Sequence, residues 1–420
     1  MAFNSIKRLA CLTAVVFSAI TFIALLHHRS TLSSVWKGQY GTSATHFEIS
    51  SSSTWDHKYF MLDFGDQETM NPNIIPHPFV ENTWIVVAQL RQEGQHFAEL
   101  SCNAVFENGT LKCNGHAAAL PIAPTYGDKC IGDLGYIGLN KGPHDARVFY
   151  GPHVPLTIYG SNSAFTCFGQ WVQDFRMLTE WSYEQLDHEE FLYQTELQRP
   201  PPWGTFEKNW FLFWDHEDQA YLHYDVYPRR VFAKVDSSGA IDSDLGTLTA
   251  VHDEKCMSKY MPKIGKELES IHQATNSLSI TMCRRTDDTC TPDKSNTFIF
   301  TIFQHKTYFN FHALYEPYVM IFEQTDPFQL HTISRKPFWI RGRRGKDSPE
   351  GMSVTTSEAP DAVAPNEEMF YVTSVSWKNA GQKYHGYLDD VLFVAFGIED
   401  EQSAAIDVIA EDLMQDLGTC

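Results

Sequence analysis

The sequence predicts an all-β fold, and three observations carry the prediction. Short apolar or aromatic runs recur at residues 83–88, 210–214, 220–224, 297–303, 318–322 and 369–377, each closed by a turn cluster, which is how strands read. Only two stretches read as helices, 182–197 and 404–417, the second because Ile406, Ile409, Leu413 and Leu417 recur at helical spacing. The Gly, Pro and Asp turns between the runs extend over about 360 residues, which fits a pair of sandwiches, a long barrel or a propeller. No repeat is visible by eye, so the pattern alone leaves these architectures open.

Taken in order, residues 1–8 are a short tail carrying Lys7 and Arg8, and residues 9–26 form an 18-residue run without a charge, close to the minimum that spans a bilayer. The basic flank predicts a cytosolic N-terminus and a lumenal bulk. No small-x-small cleavage site follows at Leu25-Leu26-His27-His28-Arg29, so the run reads as an uncleaved signal anchor; cleavage would make the protein secreted. Residues 27–58, rich in Ser, Thr and Gly, read as a stem, and residues 59–420 as the lumenal domain. A secretory-pathway membrane, the Golgi in particular, is the expected address.

Two features agree with that address. Asn108-Gly109-Thr110 is an acceptor for N-linked glycan at an expected hairpin tip. Eight of the nine cysteines lie beyond the anchor, an even number that fits disulfides, with Cys283 and Cys290 bracketing a polar loop as the expected pair. The other pairings stay open. A net charge of -20 repels nucleic acid and anionic membrane surfaces, so no nucleic-acid partner is expected.

The most site-like stretch is Gly142-Pro143-His144-Asp145-Ala146-Arg147, followed by the apolar run 155–159. Asp145 and Arg147, two residues apart at a strand mouth, share one face, putting a carboxylate beside a guanidinium. In isolation such a D-x-R is a weak surface ion pair.

The order of several motifs resembles the five-bladed β-propeller group of mannoside phosphorylases and β-mannosyltransferases. Asn71-Pro72-Asn73-Ile74-Ile75, followed by a strand and Arg91, is similar to that group's first-blade opening. His144-Asp145-Ala146-Arg147 resembles its E-D-P-R element, with His for Glu and Ala for Pro. Glu207-Lys208-Asn209-Trp210 resembles its third-blade E-K-N-W, and Tyr227-Pro228-Arg229-Arg230-Val231 the strand end after it. His385-Gly386 and Phe396-Gly397-Ile398-Glu399-Asp400 resemble its closing G-x-x-D blade. The resemblance implies a five-bladed propeller in which Asp145 is the acid/base and Arg147 orients it or a substrate oxygen. It implies that Asn71, Arg91, His144, Lys208, Asn209 and Asp400 bind substrate, with Lys208 on the phosphate side; His305 and His312 read either as further ligands on the anion or leaving-group side or as histidines at the edge of the core.

Chemistry agrees with the implied roles, since glycosyl transfer needs a positioned carboxyl group to move a proton. The expected function is that of a membrane-anchored lumenal glycosyltransferase, moving mannose from a phosphate-activated donor to a glycan with inversion. Phosphorolysis is the close variant. A glycoside hydrolase would need a second carboxylate; Asn71 stands where related hydrolases carry an acid, and Asp63 or Glu207 would have to substitute. A non-catalytic glycan-binding propeller is the reading from another class.

Other motifs offer less. The basic loop 341–346 reads as solvated, or as a seat for a diphosphate. Asp242-Ser243-Asp244 reads as a turn rather than a metal-holding D-x-D, and no Cys or His spacing builds a zinc site, so no metal or other cofactor is expected. No Walker loop, G-x-G-x-x-G or G-x-S-x-G is present.

Overall fold

The computed structural model describes residues 45–420, apart from residues 93, 95, 181–187, 266–267, 310–311 and 346–366. The expected anchor, the first part of the stem and residues 182–187 of the expected helix 182–197 lie outside the described residues; residues 188–197 hold turns and the short strand Thr195–Glu196 in place of a helix. No helix among the described residues is long and apolar enough to cross a membrane.

The fold is all-β and propeller-like, a succession of antiparallel meanders. The strands Thr69–Pro76, Trp84–Leu90, Glu99–Glu107 and Thr110–Cys113 pair in chain order. So do His144–Tyr150, Pro155–Asn162, Phe168–Asp174 and Thr195–Glu196, and then Phe211–Trp214, Ala220–Asp225 and Val231–Lys234. In the next sheet Glu269–Gln273 and Leu278–Thr281 both pair with Thr297–Phe309, which is followed by His312–Glu323 and Leu330–Ser334. Phe370–Trp377, Val391–Ile398 and Gln402–Ile409 form the last meander, and Phe60–Asp63 is added to its edge. Phe60–Asp63 also pairs in parallel with Thr110–Cys113, so one short strand joins the last sheet to the first.

The first strands of these meanders lie side by side, and polar side chains tie them. Asn73 donates to the Ala146 carbonyl at 2.7 Å and accepts the Val148 N–H at 3.2 Å. Thr373 and Ser376 donate to the Pro72 and Ile74 carbonyls. Asn276 exchanges two bonds with Val375, at 2.9 and 3.1 Å, and Ser277 donates to the Leu212 carbonyl at 2.6 Å. These groups are buried, and the central strands have no other way to satisfy them. Sheet packed on sheet also explains the unbroken apolar runs, because a strand such as Phe211–Trp214 is covered on both faces.

Three expectations are corrected here. Residues 404–417 are not one helix: Gln402–Ile409 is a strand, Ala410–Leu413 a single helical turn and Leu417–Thr419 another strand. Both faces of that strand are buried along its interior, so apolar residues occupy consecutive positions such as Ala404, Ala405 and Ile406, and a helical spacing is found among them by coincidence. The long helix is instead Gly246–Tyr260, whose buried positions Gly246, Thr249, Asp253, Cys256 and Met257 keep helical spacing with small or polar residues, so hydrophobic periodicity is silent. The stem ends earlier than residue 58. Phe47–Ile49 pairs with Phe338–Ile340, Phe47 and Ile49 are buried, and Ser51 donates to Asp407 at 2.5 Å.

All eight described cysteines are paired, as Cys102–Cys113, Cys130–Cys167, Cys256–Cys420 and the expected Cys283–Cys290. Asn108 and Gly109, with φ of 51° and 82°, form the exposed tip between Glu99–Glu107 and Thr110–Cys113, a two-residue turn matched to strand twist.

Candidate active site

Two β-bulges face one another at the mouths of adjacent first strands. The ladder slips between Met70 and Asn73 and again between His144 and Arg147, and the extra residues Asn71 and Asp145 take left-handed backbone, φ 55° and 52°. A bulge re-aims a side chain, and Asn and Asp tolerate this region better than most residues. The result is a direct bond, Asn71 Nδ2 donating to Asp145 Oδ1 at 2.8 Å. The Asp145 and Ala146 N–H groups donate to Gln89 Oε1 at 2.8 Å and Glu99 Oε1 at 3.1 Å, which pins the bulge from behind.

Arg147 is 4% exposed and donates to the Asp145 carbonyl at 2.9 Å, the Ala146 carbonyl at 3.3 Å and the Ala274 carbonyl at 3.5 Å. Its guanidinium therefore grips the backbone of the bulge, and the expected contact to a substrate oxygen gives way to a positioning role. Lys208 arrives from the third meander with its side chain about half exposed, its Nζ 3.6 Å from Asp145 Oδ2 and 5.2 Å from the centre of the Phe168 ring. Burial works to raise the Asp145 carboxyl, but Lys208, Arg147 and the Asn71 bond outweigh it and hold the group below the ordinary carboxylate range.

Asp400, left-handed at φ 53°, stands within the same field. Desolvation of its carboxyl, then the charges of Asp145 and Glu399, hold it above the ordinary range against the pull of Lys306. The residue as a whole is exposed, and solvent screens these interactions. Tyr371 lies in the field of Arg147, Asp145 and Asp400, with burial the main cause that raises its hydroxyl, and Tyr315 packs on it with ring centroids 4.8 Å apart. Tyr371, Tyr315, Lys306, Gln89 and Glu99 belong to no motif, and sequence reasoning missed them.

The remaining expected residues divide. His144 is packed between Phe97 and Phe168, with ring centroids at 3.7 and 5.2 Å, and burial drives it down to about 4, which keeps the ring neutral; its buried Nε2 has no hydrogen-bond partner among the described residues. Asn209, at φ 60°, offers its carbonyl to Gln273 Nε2 at 2.9 Å and shapes the turn that presents Lys208. Arg91 joins Glu68 and Glu401, each at 3.2 Å, and is a rim tie between the first and last meanders. His312 meets Glu399 at 2.9 Å, one residue from Asp400, whereas His305 meets Glu269 at 3.0 Å. His385 binds Thr281 at 2.7 Å, near the far end of its sheet.

Gln273 links the site to a buried network. It donates to the carbonyls of Asn209, His223 and Tyr224 and accepts from His223 Nδ1 at 2.5 Å, while His223 Nε2 accepts from Arg230 Nε at 3.1 Å. Arg230, fully buried, is balanced by Asp253 at 3.1 Å. Of the carboxylates that a hydrolase might recruit, Glu207 is buried and engaged by Arg199 at 2.8 Å and Trp210 at 3.2 Å, and Asp63 lies 3.9 Å from Lys112. Neither reaches Asp145. In the basic loop Arg343 is 2% exposed, 4.6 Å over Trp339, and braces the fold, whereas Arg344 is exposed and pairs with Glu368 at 2.6 Å, as a solvated loop would have it.

No family model matches the chain, and no curated protein matches its sequence. Solved structures similar to it include a mannose phosphorylase from Leishmania mexicana in complex with phosphate ion, at 8% identity and TM-score 0.39 over 91% of this chain and 93% of that one. A GDP-Man-dependent mannosyltransferase from Leishmania mexicana is similar at 10% identity and TM-score 0.37, over 85% and 91%. A thermostable family-43 glycoside hydrolase is similar at 8% identity and TM-score 0.37, over 85% and 94%. The group to which the sequence motifs pointed is thus among the similar structures, at identities too low to assign a role to any residue.

Proposed function

We propose that the protein is a glycosyltransferase that moves mannose from a phosphate-linked donor to a glycan hydroxyl with inversion, on a propeller whose meanders serve as five blades. The observation that carries this reading is the Asp145 constellation: a carboxylate on a bulge, bonded by Asn71 and faced by the Lys208 ammonium, with its proton affinity held down. A carboxylate kept ionised is in the form a general base needs, and because its low proton affinity makes it a weak base the reaction leans on the good phosphate leaving group. Asp145 accepts the acceptor hydroxyl's proton as that oxygen attacks the anomeric carbon, and the donor's phosphate leaves from the opposite face without needing an acid. Lys208, long and half exposed, is the cation within reach of a phosphate oxygen. Run backwards, the same steps are phosphorolysis, with Asp145 returning the proton. Residues 9–26 anchor the enzyme in a secretory-pathway membrane, with residues 45–420 lumenal.

One observation favours hydrolysis as the second reading. Asp400 is held up while Asp145 is held down, and two carboxyl groups pushed apart are the usual source of an acid and a base. The purified protein offered, separately, nucleotide-linked mannose with an acceptor glycan, mannose 1-phosphate with the same acceptor, and a mannoside with water distinguishes these. Glycan extension in the first two supports transfer. Free mannose from the third alone supports hydrolysis, and glycan binding without any reaction supports the non-catalytic reading.

A further inference from the structure

The strands that carry the candidate site at their mouths lead to a second hollow at their far ends. Asp145 opens His144–Tyr150, Lys208 and Asn209 precede Phe211–Trp214, and Tyr371 lies at the start of Phe370–Trp377. Pro152, His216 and Asn379 follow the ends of those strands, and all three line one cavity of about 930 Å³. At about 3.3 Å per residue, the length of His144–Tyr150 separates this cavity from Asp145 by roughly 20 Å. Small-molecule sites typically enclose about 300–1,000 Å³.

The lining states the chemistry. No Val, Leu, Ile, Met or Phe side chain is part of it, and its carbon surface comes from Pro152, Pro292, Ala380 and the tyrosine rings, so a long acyl chain finds no continuous aliphatic wall. Most of its charges are already answered. Arg285 gives Nε and a terminal nitrogen to Asp390 at 2.9 and 2.6 Å, and Lys383 donates to the His153 carbonyl at 2.6 Å. Asp218 faces His153 at 3.2 Å, and Asp293 accepts two bonds from Ser295 within its own turn. Lys294 stands on an exposed turn at the rim. A strongly charged ligand therefore has little to pair with. Gln324 and Thr297 are likewise engaged, by Ser279, the Trp214 carbonyl, Thr281 and Asn296, so what the cavity offers is the amide of Asn379 and the hydroxyls of Thr325 and Tyr387, beside a fixed ring. Arg285 lies 4.2 Å over Tyr387 and His385 packs at its edge, 5.0 Å between centroids, so the tyrosine is held rigid. Hydrogen-bonding groups of both polarities beside a rigid aromatic ring suit a polyhydroxylated, uncharged ligand.

We propose that this cavity is a second carbohydrate site, binding a neutral oligosaccharide independently of the site at Asp145. It draws on the transferase reading only for the choice of a mannose-based probe. The test is calorimetric titration of the full chain with mannotriose, for wild type, Asp145→Asn and two cavity variants, Asn379→Trp, which fills the space from an exposed turn, and Tyr387→Ala, which removes the ring. Thermal unfolding establishes that each variant is folded. Binding that persists in Asp145→Asn and weakens by about tenfold or more in both cavity variants, with transfer to a monosaccharide acceptor unchanged within about twofold, is the expected result. Mannotriose binding equal in wild type and cavity variants, its loss in Asp145→Asn alone, or its displacement from the cavity by inorganic phosphate would overturn the proposal. Absence of transfer in wild type with cavity binding intact would refute the transferase reading and leave this one standing.

Discussion

Glu99 should make the protein lose stability as the solution becomes alkaline, and Glu99→Gln should abolish that loss. The residue has no exposed surface, one oxygen accepts the Ala146 N–H at 3.1 Å, and the other has no hydrogen-bond partner among the described residues. Burial is the main cause that pushes its carboxyl from 4.5 to about 8; the nearby Asp145 adds to it, and the Ala146 bond and Arg147 oppose it. The folded chain thus holds a proton that the unfolded chain releases in this window. Stability from the group is whole below pH 4.5 and is lost as pH rises towards about 8. The slope is about 1.4 kcal/mol per pH unit, and the total is bounded by about 5 kcal/mol. Glutamine keeps the accepting oxygen and carries no charge. Urea midpoints measured between about pH 5 and pH 8 should therefore diverge, with the variant increasingly the more stable. Parallel pH profiles would refute the reasoning, because they would mean that Glu99 binds no extra proton on folding.

Three further outcomes follow from the same geometry. Lys208→Met removes the leading charge that keeps Asp145 ionised, so the acid limb of kcat/KM should move to higher pH and the rate should fall by about 10²; an unmoved limb would separate Lys208 from Asp145. Removing Cys256–Cys420, which spans 164 residues, should cost about 5 kcal/mol on chain-entropy grounds, against about 2.5 kcal/mol for the 7-residue span of Cys283–Cys290, as read from denaturant midpoints of the paired Ser variants. Arg230→Met leaves Asp253 buried without its cation and should destabilise by about 3–5 kcal/mol, while Arg230→Met with Asp253→Leu should recover part of that loss.

Strand positions were legible because the apolar runs of Trp84–Leu90, Ala220–Asp225 and Phe370–Trp377 leave little choice of element. The helix Gly246–Tyr260 was not, because its buried face is built from Gly, Thr, Asp, Cys and Met and held by Asp253 and a disulfide instead of an apolar stripe. Within the candidate site, Asp145, Asn71, Lys208 and Asp400 were found through motif order, and they share one electrostatic field. The second layer was out of reach. Glu99, Gln89, Gln273 and Tyr371 act through pairings between distant strands, and no local spacing records which backbone amide a buried carboxyl will meet. The basic loop divides for a related reason: Arg344 is exposed as the run of charges suggests, and only packing shows Arg343 lying buried over Trp339.

The most direct test of the central claim is mannosyl transfer from nucleotide-linked mannose to an acceptor glycan by wild type and by Asp145→Asn. The amide keeps the shape and can still accept from Asn71, but it cannot take the acceptor's proton. The account predicts a folded variant whose turnover falls by about 10² to 10⁴. A variant within about threefold of wild type would contradict it and remove Asp145 from the reaction.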